Sequence, residues 1–249
     1  MRDIHGELNM KRIFIAALAL FLIRPAFSAI AIDSTTAGNY ASSGVNTWSH
    51  TCAGSNLLLT VNVWSDNASV TAVTYNGVSM TLGASFHGTY YISTYYLINP
   101  ATGAHSVSLN GVGQTITTSI SYTGAKQSGQ FDATTSGLHT TGAVSGDTVT
   151  VVANNSWVIG VYSNTIGSAD FPGTGTAGST LNTQRLLGPI GFTGYMQSYD
   201  TNGPVSSGSN PFYIFASGDQ VSGQSIDMLL FSIAPVAPTA VTRHRVIAP

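Results

Sequence analysis

What this chain most conspicuously lacks is charge. Between Ile32 and Pro235 there is no glutamate, and the only basic side chains are Lys126 and Arg185. Against those two bases stand eight aspartates (Asp33, Asp66, Asp132, Asp147, Asp170, Asp200, Asp219 and Asp227), a net charge of −6 for the stretch. With no basic patch to neutralise phosphates, nucleic acid is excluded as an expected partner. Cysteine is nearly absent: Cys52 stands alone, so no disulfide framework can form, and it reads either as a small buried apolar residue or as an intermolecular link. The one unbroken apolar run, Ile13 to Ile23, has 11 residues, and a membrane-spanning helix needs about 20. Beyond it no window of helical length carries apolar residues at a 3.6-residue period, which excludes a helical fold. The intervals between extended segments are too short for crossover helices, which excludes parallel βαβ architecture.

What is present points outward from the cell. Lys11 and Arg12 precede the apolar run, and small residues follow around Ala26, Ser28, Ala29 and Ala31. That is the order of a secretory signal peptide, expected over residues 1–31 with translation starting at Met1 or Met10. Cleavage can follow Ser28 or Ala31. The body is then expected over 32–235 as a single domain, followed by a short Pro/Ala-rich tail over 236–249 that carries Arg243-His244-Arg245. No internal repeat emerges. The implied location is secreted, at the cell surface or in the periplasm, with no membrane association after signal cleavage.

Within the body, alternation and β-branched residues dominate. Asn56 to Trp64 reads as a central strand. Val70 to Tyr75 and Val78 to Leu82 flank Asn76-Gly77, the pair that supplies the positive φ angles of a two-residue type I′ hairpin. Thr89 to Ile98, Thr115 to Tyr122, Asp147 to Val152, Ser156 to Tyr162, Leu181 to Leu187, Ile190 to Tyr199 and Phe212 to Ala216 follow as strands. Ile226 to Ile233, the most apolar, is expected to lie centrally. About a dozen short strands separated by turns predict an all-β fold, a two-sheet antiparallel β-sandwich of jelly-roll-like kind.

Several strings carry a resemblance: Ser49-His50-Thr51, Ala72 to Leu82 (AVTYNGVSMTL), Tyr95 to Pro100 (YYLINP) with Gly103 to Val107 (GAHSV), Trp157-Val158-Ile159, and Met228 to Pro235 (MLLFSIAP). Together they resemble secreted bacterial and phage-associated β-sandwich domains of the jelly-roll, concanavalin-like kind. The resemblance spans nearly the whole body and implies the fold. It carries no functional residues, because its motifs are strands and turns.

Motifs for chemistry are weak throughout. Gly173 to Gly178 matches G-x-G-x-x-G, but Asp170-Phe171-Pro172 precedes it where a strand is needed and no amphipathic helix follows, so it reads as a Gly-rich loop. A serine nucleophile needs a His base and an orienting acid in contact. With Ser and Thr this abundant, a hydroxyl near His50, His87, His105 or His139 carries little meaning, and there is no G-x-S-x-G elbow. A glycoside hydrolase would need two flanking carboxyl groups. Six of the aspartates lie beside turn residues, where Asp caps local backbone, and Asp227 is expected on a solvated strand face. The His spacing offers no zinc pair. Asp200-Thr201-Asn202-Gly203 opens like a calcium loop without the distal carboxylates. No catalytic residue, metal or cofactor is assigned, and a structural calcium is not readable.

Aromatic residues give the best functional hint. Tyr90/Tyr91, Tyr95/Tyr96, Tyr195, Tyr199 and Phe212/Tyr213 put rings on both faces of their strands. Exposed rings beside Asp and Asn suit stacking on the C–H face of a sugar. The candidate ligand site is Tyr195, Tyr199, Asp200 and Asn202, near a strand end. The sequence therefore leans to a non-catalytic extracellular binding or adhesion module for a glycan or cell-surface polymer. A structural subunit of an extracellular or virion-like assembly is the alternative, and a glycoside hydrolase a distant one.

Overall fold

The computed structural model describes residues 29–237 except 69, 112, 141–144, 165–182, 188–194 and 215–224, and leaves out the side chains of 140, 145, 146, 164, 183–187, 195, 213 and 214. The Gly-rich motif at 173–178 and the start of the expected strand at Ile190 lie outside the described residues.

Sixteen strands are present among the described residues. In the first half these are β1 (Ala31–Ala41), β2 (Gly44–Cys52), β3 (Leu58–Ser65), β4 (Val73–Tyr75), β5 (Val78–Ser79), β6 (Thr81–His87), β7 (Tyr91–Ile98), β8 (Gly103–Gly111) and β9 (Thr115–Thr123). In the second they are β10 (Ala133–Thr140), β11 (Ser145–Val151), β12 (Trp157–Asn164), β13 (Thr183–Leu187), β14 (Tyr195–Asp200), β15 (Gly208–Ile214) and β16 (Ser225–Ile233). The Asn-Gly hairpin is as expected: Asn76 and Gly77 have φ of 50° and 74°, and Tyr75 pairs with Val78. β16 is flanked on both sides, by β10 and β12, and is buried almost end to end.

All strand pairs are antiparallel, and the strands form four sheets rather than two. An inner sheet of order β1-β9-β3-β7-β6 and an outer one of order β2-β8-β4-β5 come from the first half. The second half forms an inner sheet β10-β16-β12-β14-β13 and an outer one β11-β15. Alternation along β3 sends Leu59, Val61 and Val63 toward the first outer sheet, where Trp48, Val73, Tyr75, Val107 and Leu109 meet them. The opposite face carries Leu58 and Trp64, which join Ile116, Ile120, Trp157, Ile159, Val161 and Phe231 in a core shared by the two inner sheets. β12 mirrors this, turning Val158 and Tyr162 toward Val149, Val151 and Phe212 of the second outer sheet. β3 and β12 are therefore apolar on both faces, which explains their near-continuous apolar reading in the sequence.

The two halves have one strand order. β1, β9, β3, β7 and β6 correspond in turn to β10, β16, β12, β14 and β13, and β2 and β8 to β11 and β15. The expectation of no repeat is thus corrected. The correspondence hides in the sequence because few of its shared residues are apolar. Aligning Asp33 with Asp132 carries Thr35-Thr36 onto Thr134-Thr135, Gly38 onto Gly137 and Asn56 onto Asn155 without a gap. Asn56 and Asn155 adopt the same left-handed backbone, at φ 50° and 62°. A Cβ on Gly38 would lie 2.1 Å from Thr117 Oγ1 and 2.8 Å from the Thr117 carbonyl oxygen, so β1 needs glycine there, while one on Gly137 would lie 2.6 Å from Asp147 Oδ2.

Among the described residues, buried polar side chains join the halves at two places. Asn62 donates to Thr118 Oγ1 (3.2 Å) and Ser198 Oγ (3.0 Å) and accepts from Thr94 Oγ1 (2.8 Å), all fully buried between the inner sheets. Such a satisfied network disfavours sliding of one sheet over the other, because any other register would strand its groups. Asp227 is the second. Expected on a solvated face, it is instead fully buried and accepts from the Thr89 and Tyr90 amides (2.9 Å each) and Ser163 Oγ (3.3 Å). A mid-strand carboxylate is tolerated because the β6–β7 turn of the other half delivers backbone N–H groups to it.

Candidate functional site

The four residues expected as a ligand site lie along β14 and the turn that follows it. Tyr199 is 2% exposed, packed edge-on against Tyr162 (centroids 5.3 Å apart), with its hydroxyl donating to Gln197 Oε1. It is a core residue of the second half, not a platform for a ligand. Met196 to Asp200 are all buried, so both faces of β14 are covered over that stretch. Asp200 is fully buried and accepts the Asn202 amide at 2.8 Å, a local Asx turn. Asn202 is exposed and holds that turn with φ 48°. Tyr195 lies in β14, and its side chain is outside the described residues.

A different cluster lies at the open side between β1, β9 and β2. Inward positions of β2 meet hydroxyls of β9: Asn46 Nδ2 donates to Thr115 Oγ1 (3.1 Å), Trp48 Nε1 to Ser119 Oγ (2.7 Å), and His50 Nε2 lies 3.1 Å from Ser121 Oγ. Ser121 donates to Asp33 Oδ2 at 2.6 Å, so its proton is committed and its oxygen accepts from His50 Nε2–H. His50 Nδ1 is then the acceptor for Thr36 Oγ1, 2.8 Å away. Asp33 Oδ2 also accepts the Ala53 amide at 2.9 Å. Cys52 is buried beside this network, as one reading of its isolation expected, and burial raises its thiol pKa.

Ser121, His50 and Asp33 are the residue types of a hydrolytic triad in the wrong order. A triad needs the acid on the far nitrogen of the imidazole, orienting it to take the serine proton. Here Thr36 occupies that nitrogen and Asp33 holds the serine proton itself. Burial lowers the His50 pKa from 6.5 to about 4, against the opposing pull of Asp33, which makes the ring a weak base. Ser121 is fully buried. The cluster is a hydrogen-bonded tie between two sheets. Sequence reasoning passed over it because its members are spread from Asp33 to Ser121 and only sheet pairing brings them together.

The exposed features lie on sheet edges. Among the described residues the exposed large hydrophobics are Val45, Val78, Leu82, Leu138 and Val152. Val45 lies on β2, Val78 on β5, Leu82 on β6 and Leu138 on β10, each an edge strand, and Val152 directly follows the edge strand β11. Edge strands are ordinarily protected by lysine or proline. Here charge or proline on the edge strands is confined to Asp33 on β1, Asp147 on β11, Arg185 on β13 and Pro211 on β15. At the β6–β7 end His87 is exposed and stacks face to face on Tyr91, with centroids 3.8 Å apart and planes 5° apart.

No group of three or more His, Cys, Asp or Glu side chains suited to a metal ion occurs among the described residues. Comparison with protein-family models, curated proteins and solved structures finds no match.

Proposed function

We propose that this chain is an exported, non-catalytic packing module: a structural subunit of an extracellular or virion-like assembly that meets its neighbours along sheet edges. The observation carrying this reading is the set of edge strands that bear apolar side chains and almost no charge. Such edges offer unpaired N–H and C=O groups to another chain without electrostatic repulsion. The low charge of the whole body acts in the same direction, since little self-repulsion opposes close packing.

Within this reading each half is a jelly roll, and the body is two of them. Support comes from the strand order of the first half, which returns β9 between β1 and β3 and β8 between β2 and β4, the connectivity of paired Greek keys. Export rests on the basic, apolar and small-residue order of the N-terminus. Of the two cleavage points, the one after Ser28 keeps Ile30, which is 5% exposed within the central core.

Adhesion to a glycan or cell-surface polymer is the second reading, favoured by the stack of exposed His87 on half-buried Tyr91 beside a turn held by Asp227. One comparison separates the two. Light scattering and negative-stain microscopy of the processed chain are expected to show ordered polymers that grow with concentration. A monodisperse monomer that is retarded by a polysaccharide in an affinity gel, with Tyr91→Ala abolishing the retardation, replaces assembly by adhesion.

A further inference from the structure

We infer that the chain is a fused pair of related units, and that the inner sheet of each is an association surface whose proper occupant is another such unit. The first ground is topological. Seven strands of the second half repeat the positions of seven in the first, sheet for sheet and neighbour for neighbour. The second is chemical, and lies where register rather than composition defines equivalence. Val61 pairs with Tyr95 and Gly160 with Tyr199, so the two tyrosines are equivalent, and each is 2% exposed. Gly103 and Gly208, which open β8 and β15, have φ of 101° and 112°. Pro100 and Pro204 precede them after the preceding strand.

A third ground is a defect that duplication explains. Ser232 Oγ is buried with no hydrogen-bond partner, an arrangement that needs a reason. Ser121 pairs with Leu59 and Ser232 with Val158, which makes these serines equivalent. In the first half Ser121 meets His50. The residue equivalent to His50 is Val149, which has no polar group to offer, and Asp132, equivalent to Asp33, is drawn to Lys126 Nζ at 3.1 Å. Ser232 keeps the hydroxyl of a network whose other members have diverged.

The surface between the units has the character of an interface between partners. It is a closed apolar core with one satisfied polar cluster at Asn62 and one buried carboxylate at Asp227 gripping the opposite unit. Each unit has in addition its own core between its inner and outer sheets. The covalent connection runs from Thr123 to Ala133 and passes through Ser128 and Gly129, both exposed. This inference stands whether or not the full chain polymerises.

The test uses the full chain with a specific protease site inserted between Ser128 and Gly129, cleaved in the native state. The two fragments are expected to co-elute at the volume of the uncut protein and to re-form that species after denaturation and dilution. The unfolding midpoint of the cut protein should fall on tenfold dilution, while that of the uncut protein stays constant, because only the cut form dissociates on unfolding. Fragments that separate under native conditions, or a cut protein that loses its β-sheet circular dichroism, would overturn the inference. An insertion that by itself prevents folding counts against it equally, since a connection between self-contained units tolerates lengthening.

Discussion

His50 shows how a single residue sets a condition on the whole protein. Its ring is neutral in the fold, with a pKa of about 4 against 6.5 for a free imidazole. The unfolded chain therefore binds more protons between those two values, so stability is full above about pH 6.5 and falls as pH drops toward 4. The loss attributable to this residue is about 3 kcal/mol. Urea titrations at pH 7 and pH 4.5 should show it, and His50→Gln should flatten that part of the profile while lowering stability at pH 7. A second contrast concerns the equivalent serines. Ser121→Ala removes the acceptor of His50 and one donor to Asp33, and should cost roughly 1–3 kcal/mol. Ser232→Ala deletes a hydroxyl that has no partner, and should be neutral or stabilising by up to about 1 kcal/mol. Equal losses at both sites, measured by thermal unfolding, would contradict the description of either environment.

At the scale of elements, interior and edge strands divide the molecule's tasks. β3, β9, β12 and β16 are paired on both sides and buried along almost their whole length, so they supply the cores. β1, β2 and β10 are edges rich in Ser, Thr, Gly and Asn, and β1 and β2 are tied to each other through Asn39 and Asn46. Val78 and Leu82, 53% and 50% exposed, flank the corner where the chain passes from the first outer sheet to the first inner sheet. Replacing both with lysine puts charge on two adjoining edges at little cost to the fold, within about 0.5 kcal/mol per site. The double variant should keep the unfolding midpoint and lose the polymers expected of the natural chain in light scattering. Polymers that persist would move the contact away from these edges.

For the whole molecule, the sequence determined what local chemistry determines. Asn76-Gly77 specified its hairpin because two consecutive positive φ angles suit few other residue pairs. The apolar runs of β3, β12 and β16 marked interior strands because only burial on both faces tolerates them. Scarcity of charge marked the kind of surface. Less was legible where a residue's meaning depends on its neighbours in space. β1 and β10 were missed because polar edge strands are held by their partners rather than by their own propensity. Tyr199 looked like a presented ring and is a core residue, and Asp227 looked solvated and is fully buried. In each case the covering atoms come from sequence-distant segments: Tyr162 on β12 for the first, the turn at Thr89 and Tyr90 for the second. The sequence by itself thus decided strand chemistry, turns and the absence of charge. Only the tertiary structure decided that there are four sheets and two related halves, because pairing and facing are long-range relations that no window of consecutive residues contains.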